Sequence, residues 1–92
     1  MQILLLGLFK PGALGQLSRW QMEWNEHLAQ QPLRIAGPLL EESGDQRGWM
    51  AVLTAASLEE ATAFLHSSPY FKADLFDRLE VFQMALEVGR LG

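Results

Sequence analysis

Gln2-Ile3-Leu4-Leu5-Leu6-Gly7-Leu8-Phe9, closed at once by Lys10-Pro11-Gly12, sets the terms for the whole chain. Successive side chains of a strand point to opposite sides, so Ile3, Leu5, Gly7 and Phe9 share one face and Leu4, Leu6 and Leu8 the other. A half-buried strand alternates apolar with polar residues. This one is apolar on both sides, which predicts a strand over residues 2–9 covered on both faces. No positive residue precedes the run and it is far too short to span a bilayer, so it is read as a strand and not as a leader or membrane segment.

Outward from that strand the pattern changes period. Leu17, Trp20, Trp24 and Leu28 recur at helical spacing and predict a helix that begins between Gly15 and Ser18 and ends near Gln31. Ser18 and Gln21 have capping-box spacing, and Pro32 cannot continue a helix because it lacks the N–H. Leu33 to Glu41 reads as a second strand, with Pro38 placing it at an edge or a bulge. The polar turn Glu42-Ser43-Gly44-Asp45-Gln46-Arg47-Gly48 leads into a third strand, Trp49 to Thr54. Ser57-Leu58-Glu59-Glu60 opens a second helix with Leu58, Ala61, Phe64 and Leu65 as its buried stripe. Ser68-Pro69 starts a short turn through Asp74, and a last strand runs from Arg78 to Glu87 with apolar residues on both faces.

The order is β-α-β-β-α-β, an α+β class with ferredoxin-like topology: a four-stranded antiparallel sheet with two helices on one face. The helices leave the other face uncovered although the strands are apolar there. A second copy of the chain is the simplest cover. Composition agrees, because 92 residues suffice for one domain (1–92), and 49% hydrophobic residues against 20% charged is rich for a small monomer.

Other classes are excluded on similar grounds. A formal charge of −4 without a basic run argues against nucleic acid and against an anionic membrane surface. With no cysteine and only two histidines, no metal-ligand spacing can be assembled, and a cytoplasmic setting fits. Gly12 and Gly15 beside Lys10 are too sparse for a phosphate loop, so no cofactor is read.

Ala36-Gly37-Pro38-Leu39, the polar turn ending at Gly48, Ser57-Leu58-Glu59-Glu60-Ala61 and Ser68-Pro69-Tyr70-Phe71 together resemble the YciI-like (YCII-related) family. The resemblance runs over nearly the whole chain and implies a homodimeric α/β barrel. Few members have known activities, and one branch removes chloride from a chlorinated hydroxyquinol. The resemblance also implies a histidine on the first helix and an aspartate just before the proline-aromatic pair. Here the aspartate position holds Ser68, and the family's spacing back from Gly37 reaches Trp20 or Gln21. On that count the family dyad is missing.

Two readings of the candidate residues follow. In the first, the chain binds a small organic, aromatic-type ligand, with Trp20, Trp24, Arg34, Ser68, Tyr70 and Phe71 around it, since pockets are apolar with a few placed polar groups. In the second, a lyase or isomerase type of enzyme uses His27 as proton carrier, oriented by Glu23 one helical turn earlier. Each has a plainer counterpart: Trp20 and Trp24 as ordinary core, and His27 as a residue suited to a helix C-terminus. His66 is read as a surface residue.

Overall fold

A computed structural model describes residues 1–31 and 33–89. It has β1 (Gln2–Phe9), a 3-10 segment (Ala13–Trp20), α1 (Gln21–Leu28), β2 (Leu33–Leu40), β3 (Gln46–Thr54), α2 (Leu58–His66), α3 (Pro69–Lys72) and β4 (Phe76–Gln83). The four strands form one antiparallel sheet in the order β2-β3-β1-β4. This is the ferredoxin-like arrangement expected from the pattern, with β1 inside the sheet and β2 on an edge.

The Ile3, Leu5 and Phe9 face of β1 lies against a core with two parts. Ile3 and Leu5 pack with Leu53, Ala61, Phe64 and Leu65, while Phe9 packs with Leu17, Trp24, Trp49, Tyr70 and Phe76. Each large apolar side chain buried this way stabilises the fold by roughly 1.5–3 kcal/mol. The register puts Leu4 opposite Val52 and Phe82, Leu6 opposite Met50, and Val52 opposite Ile35 on the other face. The described helices all pack on the first face.

Several local expectations change. The segment before α1 winds as a 3-10 helix from Ala13, and α1 proper is only Gln21–Leu28. The Ser18–Gln21 capping box does not form, because the Gln21 N–H already bonds the Ser18 carbonyl. β3 starts at Gln46, since the tight turn needs only Glu41 to Asp45, with Gly44 at φ 89° and its N–H on the Glu41 carbonyl. β4 begins at Phe76 and ends at Gln83; Met84 donates one bond to the Gln2 carbonyl, and Leu86 is outside the ladder. Irregular pairing in β2 falls at Leu33/Ile35 and Leu39/Leu40, while Pro38 pairs regularly with Trp49 on the edge strand. The helix stop assigned to Pro32 lies outside the described residues.

The second helix starts as expected. Ser57 Oγ accepts the Glu60 N–H at 3.1 Å, and Glu60 Oε2 accepts from Ala56 N–H at 3.1 Å, one residue further back than in a standard box. Among the described residues no helix is long and apolar enough to cross a membrane.

Candidate functional site

The corner between α2 and α3 faces the junction where the 3-10 segment becomes α1. Trp20 and Glu23 sit three residues apart on one side of this corner, and Pro69 and Lys72 three apart on the other. That spacing puts each pair on one helical face. With Ser67 and Ala73 they line a groove of about 270 Å³, with Trp20 as its one aromatic residue. The Arg19 guanidinium lies 5.4 Å from the centre of that ring.

A second hollow of about 120 Å³ lies between the β1 loop and the β2–β3 turn. Three of its charged residues are already paired: Lys10 with Asp74 at 2.6 Å, and Arg47 with Glu41 at 3.9 Å. The Trp20 groove is both larger and chemically less satisfied.

His27 is buried beneath this corner. Its Nε2–H donates to the Phe64 carbonyl at 2.7 Å, and its ring stacks on Phe64 at 4.3 Å. A carbonyl can only accept, so Nε2 carries a hydrogen and Nδ1 is the nitrogen left to accept. The orienting partner of His27 is therefore a carbonyl, not the Glu23 carboxylate. Ser67 Oγ donates to the same carbonyl at 3.0 Å.

Ser68 is also buried. Its Oγ donates to the Leu65 carbonyl at 2.6 Å and accepts from the Phe71 N–H at 3.4 Å, closing α2 and opening α3. Tyr70 stacks on Trp24 with ring centres 4.1 Å apart, and its hydroxyl donates to Gln21 Oε1 at 3.3 Å. Burial raises its phenol above the usual pKa of 10.0. Trp24 also meets Trp49 edge-on at 4.8 Å, so both belong to the core. Phe71 is half-buried and stacks on the exposed His66 at 4.4 Å. Arg34 stands apart, donating to Thr54 Oγ1 at 3.3 Å on the sheet face away from the helices.

Of the residues anticipated around a ligand, only Trp20 lines the groove. Ser68, Tyr70 and Phe71 lie in the segment that builds its wall, Trp24 is core, and Arg34 is elsewhere. Ser67, Pro69, Lys72 and Ala73 were not anticipated as ligand contacts, nor was Glu23 in that role. The spacing of Trp20 to Glu23 and of Pro69 to Lys72 was the available signal.

The family model of the YCII-related domain matches residues 1–85. No curated protein matches the sequence. Among solved structures, the chain is similar to 5-chloro-2-hydroxyhydroquinone dehydrochlorinase (TftG) from Burkholderia phenoliruptrix, in complex with 2,5-dihydroxybenzoquinone. The TM-score is 0.84 at 23% identity, covering 92% of this chain and 94% of that one. It is also similar to Rv0793 from Mycobacterium tuberculosis, with TM-score 0.56 and 13% identity over 96% of this chain and 97% of the other. At these identities the likeness speaks to the fold, which is ferredoxin-like in these neighbours too.

Proposed function

The chain belongs to the YCII-related domain family, and from that premise we propose that it acts as a one-domain cytoplasmic homodimer holding a small flat organic molecule in the Trp20 groove. The observation that carries this reading is the groove itself, about 270 Å³ and lined by Trp20, Pro69 and Ala73 together with three polar residues. A flat ring suits a groove that offers an indole, and stacking on an aromatic adds to the area it removes from water. The similar dehydrochlorinase is described in complex with a flat quinone, which supports the ligand class.

The dimer rests on the second sheet face. Phe82 and Ile35 are 50% and 48% exposed there, beside the partly covered Leu4, Leu6 and Met50. A face of this kind suits an interface of about 800 Å² per partner. Native mass spectrometry on gently purified protein tests both parts. A dimer carrying an extra small mass supports the reading, and a bare monomer sinks it.

A second reading keeps the lyase or isomerase type of chemistry with His27 as proton carrier. It is favoured by one detail: the Nε2–H bond to Phe64 fixes the ring and leaves Nδ1 as the nitrogen able to take a proton. His27→Gln retains a donor for the carbonyl. Turnover of a quinol-type substrate that disappears in this variant, with binding intact, decides for the enzyme; no turnover in either protein decides for binding alone.

A further inference from the structure

We infer that the ligand of the Trp20 groove is an aromatic acid bearing a hydroxyl or amino donor at its other end. This rests on the groove being a ligand site. The groove brings together one carboxylate, Glu23 from the first turn of α1, and one ammonium, Lys72 from the end of α3. Among the described residues neither side chain makes an ion pair or a hydrogen bond; the three ion pairs there are Lys10 with Asp74, Arg47 with Glu41, and Arg78 with Glu80.

Opposite charges on facing sides of one groove would pair if they could reach each other, and they do not. Each therefore keeps its capacity for an occupant. Glu23 offers only acceptors and Lys72 only donors. Glu23 and Lys72 are exposed, and a neutral hydrocarbon lying against them would displace part of their water without replacing its hydrogen bonds, at a cost for each. A molecule with an acid facing Lys72 and a donor facing Glu23 answers both with charge-assisted bonds. Trp20 and Pro69 fix the remainder of the occupant as flat and apolar. The Ser67 hydroxyl has its hydrogen committed to the Phe64 carbonyl, so toward the groove it can only accept, which favours the donor end of the ligand.

The test is an NMR titration of the full chain, following the Trp20 indole N–H assigned with Trp20→Phe. Three probes share one ring system: 6-hydroxy-2-naphthoate has both groups, 2-naphthoate only the acid, and 2-naphthol only the donor. We expect the bifunctional probe to bind about tenfold more tightly than either of the others, the usual scale of one charge-assisted hydrogen bond. Lys72→Met should weaken both acids about tenfold and leave naphthol unchanged, and Glu23→Met should weaken only the two hydroxyl probes. If all three probes bind alike, or both variants leave the ranking intact, the ligand class is wrong while the groove stands as a site. If no probe shifts Trp20, the groove reading fails and this inference with it.

Discussion

The Phe64 carbonyl collects two side-chain donors, the His27 ring and the Ser67 hydroxyl, and the Leu65 carbonyl collects the Ser68 hydroxyl and backbone N–H. These are carbonyls that the end of α2 leaves without helical partners. Ser68 and His27, both singled out from the sequence as candidate site residues, thus make closing α2 one of their jobs. Ser68→Ala removes a buried donor and the acceptor that opens α3. It should cost about 1–3 kcal/mol in urea denaturation, and a loss under about 0.5 kcal/mol would show that backbone bonding alone closes the helix. At Tyr70 the effect depends on pH. Its phenol is held neutral in the fold above its usual 10.0, so the stability this gives is present below that pH and is lost as pH rises through the raised value. Tyr70→Phe should flatten the alkaline loss while giving up the bond to Gln21, and parallel unfolding curves from pH 9 to 11 check the sign. Ser68, Tyr70 and His27 stood out in the sequence, but their partners did not, and Ser67 and Lys72 of the groove were not anticipated. His27 meets a carbonyl 37 residues away, a pairing that no local spacing encodes.

At the scale of elements, strand periodicity was readable because it depends only on neighbours, whereas boundaries depend on contacts made elsewhere. Phe76 falls between the expected turn and the expected strand yet opens β4, because its ring lies across Gly7 and stacks on Phe9 at 5.1 Å. The helical stripe Leu17 to Leu28 was read correctly as one apolar face, but its first half winds as a 3-10 helix and so defeats the Ser18 cap. Gly7 is the residue that permits the β1–β4 approach. A Cβ there would lie 2.5 Å from Phe76 Cε1, and the ring is held against Phe9. Gly7→Ala should therefore destabilise by roughly 1–3 kcal/mol, the usual cost of overpacking. Gly48→Ala should cost more, because its Cβ would run into the Gly7 carbonyl oxygen, and backbone inside a sheet cannot rotate aside as a side chain can. Thermal melts of the two variants order them; equal losses would mean that the β1–β3 ladder yields as readily as the Phe76 ring.

For the whole molecule, composition carried information that no single element did. A chain with 49% hydrophobic and 20% charged residues has more apolar surface than two short helices can cover, and the sheet leaves one face without a helix. Arg78 on that face pairs with Glu80 at 2.7 Å, which leaves one fewer charge to oppose apolar contact with an identical face. Homodimerisation through the sheet predicts a specific weakness. Phe82 on β4 and Ile35 on β2 are each about half exposed, so glutamate at either position is solvated in a monomer but must be stripped of water in a dimer. Phe82→Glu with Ile35→Glu should convert the dimer to monomer in analytical ultracentrifugation at micromolar concentration, with far-ultraviolet circular dichroism unchanged. The groove lies on the helix side, so binding at Trp20 should persist in that monomer. Loss of binding with the dimer would mean that the partner copy helps to shape the site; a variant that stays dimeric would move the interface away from the sheet.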